Sequence, residues 1–214
     1  MSLPPCLVLV KHRRQSAKPT HTGHCLAQGE WAHRLRDISV SVIALRHHNR
    51  AKMFRDDFGD WQLVQIDRFA NINTTVIGDY NSPAARLPGA GGAPEIAASS
   101  GEVLITLRQN KRSFVEKLDF VTSCGHLSGG TSREQLRFPG RGPAAVITNL
   151  GILIPDSVTK ELTLTSIHHG ISVECVLEAT GWPLKVSPHL QTSAPPSAEE
   201  LSALRNLQGI PNAG

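Results

Sequence analysis

From Trp61 onward, apolar and polar positions fall into short, regular runs. Trp61-Gln-Leu-Val-Gln-Ile66 and Ile72-Asn-Thr-Thr-Val-Ile77 are rich in β-forming residues, and Asp67-Arg-Phe-Ala-Asn71 between them is a turn-sized insert. Asn81-Ser-Pro83 predicts a loop, and Leu87 to Pro94 is a glycine-rich stretch. Pro94, Glu95, Ile96 and Ala97 predict a first helical turn, because proline is tolerated there and glutamate suits the positive end of the helix dipole. Glu102 to Leu107 predicts a strand, and Ser113 to Val121 reads as strand-like. Ala144 to Thr148 and Gly151 to Ile154 are apolar strands of the buried kind, whereas Leu162 to Ile167 alternates strictly, as a half-buried strand does.

The predicted helices are short. Ser172 caps a run with Val173, Val176 and Leu177 on one face, and Gly181 occupies the position of a C-terminal glycine. Ser197 and Glu200 form a capping box ahead of Leu201, Leu204 and Leu207, after the stiff spacer Ala194-Pro-Pro196. Strands alternating with short helices predict an α/β fold, an open sheet of mostly buried strands. Three segments follow: residues 1–60, an α/β domain over 61–190, and a Pro-rich spacer with a terminal helix over 191–214.

At 214 residues, 40% hydrophobic and 19% charged, the chain has the composition of a globular protein and not of a disordered polymer or a membrane bundle. A chain of this length buries about 70% of its unfolded surface, enough for a core without staples. Leu7-Val8-Leu9-Val10 is too short for a secretory core, and its charges follow it, so neither a leader nor a membrane span is expected. Cys6, Cys25, Cys124 and Cys175 lie far apart, the pattern of a reduced, cytoplasmic protein. The net charge of +4 is unevenly spread. Residues 1–58 hold ten lysines and arginines against four acids, six of the ten histidines and two of the eighteen glycines; the remainder holds twelve basic residues against fourteen acids. Two compositions meet near Gly59.

Gly89-Ala90-Gly91-Gly92-Ala93-Pro94 is the most informative local feature. Glycines let backbone N–H groups approach a ligand, so such a loop can hold a phosphate or stabilise an oxyanion. No Gly-Lys-Ser/Thr follows, and residue 94 is proline where a dinucleotide fingerprint needs glycine. A plain tight turn is the other reading. His21-Thr-Gly-His24-Cys25 lacks a second ligand pair within reach, so no metal site is expected. His47-His48 and His168-His169 read as ordinary polar pairs, and Arg108, Lys111 and Arg112 as a solvated basic edge that could meet a phosphate.

Over residues 61–186 the chain resembles the B subunit of the class I CoA-transferases, the 3-oxoadipate type foremost and the glutaconate type as a close cousin. The resemblance is carried, in order, by Gln65 to Tyr80, Arg86 to Ala97, Lys111 to Phe120, Thr122-Ser-Cys-Gly-His126, Pro139-Gly-Arg-Gly-Pro143, Ser166-Ile-His-His-Gly170 and Thr180-Gly-Trp182. It implies a CoA-transferase-like sheet, a partner A subunit, and acyl-CoA and a carboxylic acid as substrates, with no permanently bound cofactor. In the family a glutamate carboxylate of this subunit attacks the thioester, giving an acyl anhydride and then a glutamyl–CoA thioester. The loop matching Gly89, Ala90, Gly91 and Gly92 lines that site, and Gln65 and Asn73 are candidate pocket residues.

Three departures accompany the resemblance. Ala70 stands where the family has glycine, and His168-His169-Gly170 where it has His-Pro-Gly. No Glu-Ser-Gly type motif precedes Gln65; the one glutamate there, Glu30, lies too close to Gln65 and lacks the motif. The fold is therefore expected to be incomplete in its N-terminal half, and transfer to be impaired. Residues 1–60 are open to three readings: a shifted reading frame, a basic nucleic-acid-binding arm on a non-enzymatic protein, or divergence toward a CoA-thioester hydrolase or lyase. Nucleic acid is disfavoured as a partner, for want of aromatic interleaving.

Overall fold

The computed structural model describes residues 41–47, 50–55, 64–87, 89 and 91–208. Five strands of its main sheet are β7 (Glu102–Thr106), β8 (Pro143–Ile147), β9 (Gly151–Pro155), β10 (Leu162–Ile167) and β11 (Lys185–Thr192), in the order β11-β10-β9-β8-β7. The sheet is mixed. β7/β8 and β10/β11 run parallel, and β8/β9 and β9/β10 antiparallel. Beyond β7 it is continued antiparallel by β1 (Ser41–His47) and β2 (Arg50–Arg55). Two short hairpins stand apart, β3 (Gln65–Ile66) with β4 (Ile72–Asn73) and β5 (Val76–Gly78) with β6 (Pro83–Arg86). Helices α1 (Ala93–Ser99), α2 (Ser132–Gln135) and α3 (Val173–Glu178) belong to the same unit. Helix α4 (Ala198–Gln208) belongs to a second one, and its capping box is formed as predicted: Ser197 N–H donates to Glu200 Oε2 at 2.9 Å and Glu200 N–H to Ser197 Oγ at 3.2 Å.

Alternate strand positions turn Val103, Ile105, Val146, Leu153, Leu162 and Leu164 into one core with Ile66, Val176, Phe114 and Trp182. The Phe114 and Trp182 rings stack at 5.7 Å. Each of these aliphatic side chains contributes about 1.5–3 kcal/mol by leaving water.

Several predicted elements differ in the structure, each for a reason of bonding or close packing. The run Ile72–Ile77 is cut in two because Asn73 Oδ1 accepts from the N–H groups of Thr75 (3.0 Å) and Val76 (3.3 Å), an Asx turn that ends β4. Ser113–Val121 is no strand. Its first residues clasp Ile66 instead, Ile66 N–H donating to Ser113 O and Val115 N–H to Ile66 O. Pro83 opens strand β6 and does not lie in a loop. Gly181 is no left-handed cap; a Cβ there would run into the Phe114 carbonyl oxygen, so close approach demands the glycine. Strand β11 escaped sequence reading because Pro188 sits in it. The register jumps from Leu164–Val186 to Ser166–Gln191, leaving the proline in a bulge where no N–H is needed.

The turn Asp67–Asn71 is built as its sequence suggests. Asp67 Oδ1 accepts from Phe69 and Asn71 N–H, both at 2.9 Å, and burial nonetheless raises the Asp67 pKa. Ala70 adopts φ 58°, so the residue standing in place of the family's glycine does take the left-handed form, at a cost of about 1 kcal/mol. Gly125 presses on this turn: a Cβ there would overlap the Ala70 carbonyl.

Arg133, 4% exposed, lies at the centre of the connecting loops and is bound by carbonyls. Its Nε donates to Gly140 O (3.1 Å), Nη1 to Gly125 O (2.7 Å), and Nη2 to Ala97 O (3.1 Å), Ala98 O (3.1 Å) and Gly140 O (3.0 Å). The guanidinium also lies 4.9 Å from the Phe138 ring centre.

This packing sets the cost of added bulk. Gly125→Ala should cost about 3 kcal/mol or more, because backbone faces the new methyl and cannot yield. Gly130→Ala, with φ 53° and nothing within 4 Å of its Cβ, should cost only about 1 kcal/mol; urea denaturation of both variants checks the difference. A separate expectation concerns acid. His126 donates through Nε2 to Pro143 O (2.9 Å) and His168 through Nε2 to Thr148 O (2.9 Å), and burial above all lowers both pKa values. Unfolded, both titrate near the ordinary 6.5. Below that, the unfolded chain takes up protons that the folded one refuses, so stability falls as pH drops from 6.5 toward the depressed folded values. His126→Gln should flatten the fall, read as urea midpoints at about pH 7.5 and 5.5.

Candidate functional site

The glycine-rich stretch lies between β6 and α1. Its path extends the β5–β6 hairpin, with Leu87 N–H donating to Thr75 O at 2.9 Å and Gly89 N–H to Thr74 O at 3.0 Å. Gly89 and Gly91 take φ 94° and 50°, conformations that a side chain resists, and Gly92 ends the stretch as the residue capping α1. Among the described residues no heavy atom lies within 4 Å of where a Gly89 Cβ would stand. Ala90 and Glu30 lie outside the described residues.

Gln65 and Asn73 meet across the β3–β4 pair. Asn73 Nδ2 donates to Gln65 Oε1 at 2.8 Å and to Val76 O at 2.7 Å. Gln65 Nε2 donates in turn to Asp119 Oδ2 at 2.8 Å, while Asp119 N–H returns to Gln65 Oε1 at 3.1 Å. Asp119 Oδ2 also takes Gly78 N–H at 3.1 Å. Both Asn73 donors and both acceptor positions are thus engaged, and its side chain is fully buried. These two residues frame the strand break from which the glycine stretch hangs.

Thr74 and Thr75 fill that break, and Thr122 holds it: its Oγ1 accepts from Thr74 N–H at 2.9 Å and lies 2.7 Å from Thr75 Oγ1. The Thr74 hydroxyl is buried with no hydrogen-bond partner among the described residues. Sequence reasoning passed over Asp119, Thr122, Thr74 and Arg133. The one available signal was Asn-Thr-Thr inside an otherwise apolar β-rich run, which marks a polar break where a strand was expected.

The remaining candidates lie elsewhere. Arg108, Lys111 and Arg112 are exposed on the loop after β7, whose Gln109 is buried and tied to Thr180 Oγ1 (2.8 Å) and Thr148 Oγ1 (2.9 Å). His168 is fixed between Thr148 O and Ser193 Oγ, and His169 is exposed. Among the described residues no group of three His, Cys, Asp or Glu side chains could hold a metal, and no helix is long and apolar enough to cross a membrane. What the arrangement offers chemically is the exposed backbone of Gly91 and Gly92, next to Gly89, whose own N–H is spent on Thr74 O. That set can polarise a carbonyl oxygen; it supplies no acid–base pair.

Comparison with known proteins gives this geometry a setting. A family model described as Coenzyme A transferase matches residues 64–179. The B subunit of the 3-oxoadipate CoA-transferase of Pseudomonas knackmussii is 44% identical over 207 residues, covering 97% of this chain and 79% of that protein. That match extends well into the first sixty residues, beyond the span that the sequence motifs mark. The B subunit of the glutaconate CoA-transferase of Acidaminococcus fermentans is 43% identical over 136 residues, 63% of this chain and 51% of its own length. The crystal structure of glutaconate coenzyme A-transferase from the same organism superposes with a TM-score of 0.62 at 38% identity, over 67% of this chain and 55% of that one. The match to the glutaconate relative therefore spans about half of that protein's length. With the matched span running from Val64, just ahead of β3, to Ala179, the cap of α3, the chain belongs to the coenzyme A transferase family.

Proposed function

We propose that this chain is the B subunit of a heteromeric CoA-transferase that moves CoA between carboxylic acids, 3-oxoadipate and succinyl-CoA foremost. The observation that carries this reading is the 44% identity to the B subunit of a 3-oxoadipate CoA-transferase across 97% of the chain. The geometry is in keeping with it, since a thioester carbonyl is the kind of group that exposed glycine backbone can polarise. The partner is an A subunit, the substrates are an acyl-CoA and a carboxylic acid, and no resident cofactor takes part.

Covalent transfer needs a carboxylate that attacks the thioester carbon, expels the CoA thiolate, and is then itself attacked by that thiolate with release of the acid. The described residues near the loop do not offer one. Asp119 is hydrogen-bonded into the Gln65 frame, and Glu95 lies in the first turn of α1. This favours a second reading of the same site, in which polarisation without a nucleophilic glutamate leaves slow thioester hydrolysis and impaired transfer. A polarising site alone sustains about 10³–10⁴ over water in proteases stripped of their triad.

Assembly with an A subunit, followed by acyl-CoA and borohydride, tests both readings. The expected outcome is a complex that binds acyl-CoA, hydrolyses it slowly, and yields no reduced glutamate in this chain by mass spectrometry. A labelled Glu30, or any other labelled glutamate, together with transfer activity overturns the impairment. A chain that neither joins an A subunit nor binds acyl-CoA overturns the B-subunit reading itself.

A further inference from the structure

We infer that Arg108, Lys111 and Arg112 form an anion site that takes the phosphate groups of the acyl-CoA nucleotide. The inference rests on the proposed CoA-thioester chemistry and adds to it the residues that hold the end of the substrate remote from the thioester.

The three cations are unspent. They stand within five residues and are all exposed, and no other five-residue stretch from Val64 onward carries as many basic side chains. None of them forms an ion pair among the described residues. Glu116, the nearest acid along the chain, is bound to Arg68 at 3.1 Å. Basic groups elsewhere on this unit are engaged: Lys185 with Glu161 at 2.6 Å, Arg141 with Glu102 at 3.4 Å, and Arg86 with Tyr80 O at 2.6 Å. Like charges gathered this closely repel, and a multiply charged anion relieves that repulsion.

The turn that carries the cations is fixed from beneath. Gln109 is buried between Thr148 and Thr180, and its N–H donates to Asn149 Oδ1 at 2.8 Å. Asn110 Oδ1 accepts from Arg112 N–H at 3.0 Å and Ser113 N–H at 3.1 Å, and Asn110 O accepts from Phe114 N–H at 2.8 Å. Binding an anion there orders side chains and leaves the backbone as it is, which lowers the entropic cost. Guanidinium groups match phosphate oxygens with paired donors, and lysine adds a point charge. Position agrees with chemistry. The turn leaves the C-terminal end of β7, and Asn149 follows the parallel strand β8; ligands of open α/β sheets bind beyond the carboxyl ends of the strands. The same segment also reaches the polar frame, because Ser113 O accepts from Ile66 N–H at 2.7 Å, next to Gln65, and Asp119 lies further along it. CoA is a long molecule with its thioester at one end and a pyrophosphate and a 3′-phosphate at the other, so its phosphate site need not adjoin the glycine stretch.

Titration calorimetry on the complex with an A subunit tests this, using acyl-CoA, acyl-dephospho-CoA (without the 3′-phosphate) and acyl-pantetheine (without the nucleotide). The combined variant Arg108→Gln, Lys111→Gln, Arg112→Gln should keep its urea midpoint, because the three side chains are exposed. It should bind acyl-CoA about tenfold more weakly, and acyl-pantetheine within about twofold of the unaltered complex. The loss should shrink as salt is raised. A loss confined to acyl-CoA assigns the cations to the 3′-phosphate, and a loss shared with acyl-dephospho-CoA assigns them to the pyrophosphate; either is the expected result. Undiminished binding of acyl-CoA overturns the inference and leaves the function intact. An equal loss on acyl-pantetheine, a lowered urea midpoint, or a variant that no longer joins the A subunit also overturns it, by showing the cluster to be structural or a protein contact. An unaltered complex that binds none of the three removes the functional reading first, and this inference with it.

Discussion

The buried guanidinium of Arg133 is the interaction on which the layout of the site depends. Helix α1 is only seven residues long, has no side-chain cap at its start and no basic residue in its own last turn. Helices this short are marginal alone. Arg133, reaching in from α2, supplies what is missing: its Nη2 donates to Ala97 and Ala98 carbonyls at the C-terminal end of α1, where a positive charge is favoured. The same group binds Gly125 O and Gly140 O, so three separate backbone segments share one planar donor. A buried charge is costly unless its donors are satisfied, and here carbonyls satisfy them. Burial lowers the Arg133 pKa, yet arginine stays charged, which a lysine in the same cage would not be bound to do.

Fixing the C-terminal end of α1 fixes, through the few turns of that short helix, the place where the glycine stretch must arrive. The other end of that stretch is set independently by Thr74 and Thr75. Beyond the anchored Gly89, Gly91 takes a conformation that glycine permits, and Gly92 caps α1. Satisfied polar frames are stiff and specific, and loops with unfilled space are adaptable; this site joins the two. The order of causes runs from Asp119 and Gln65 to Asn73, from Asn73 to the strand break, and from the break to the loop.

The parts legible in the sequence were those whose signal is local. Alternation in Leu162–Ile167 and the apolar runs of β8 and β9 reported true strands, because local pattern and burial agree there. The Ser197–Glu200 box is a contact over three residues, and so it was readable. The glycine stretch was legible as loop chemistry. What stayed hidden depended on partners far along the chain. Thr131-Ser-Arg-Glu looks like an exposed turn until Gly125 and Gly140 fold around Arg133. Ser113–Val121 has the residues of a strand, but its backbone clasps Ile66 instead of joining a ladder. Strand β11 was masked by Pro188, whose missing N–H matters only in a register that does not skip it.

The chemistry divides along the same line. Polarising a carbonyl requires donors held rigidly where charge develops, and such donors can come from one short, well-framed stretch of backbone. Attack on that carbonyl requires a carboxylate at the right distance, and the side chains of the frame built by Gln65, Asn73 and Asp119 are hydrogen-bonded to one another. Asp119 is the carboxylate of that frame, and it is consumed in holding Gln65 and Gly78. Freeing it to attack would unmake the support that positions the loop. The frame and the nucleophile are therefore separate structural demands, and one side chain cannot meet both. A nucleophile, where one acts, has to be delivered by a segment that the frame does not need, and Gln65, Asn73, Asp119 and Thr122 are already committed to the frame.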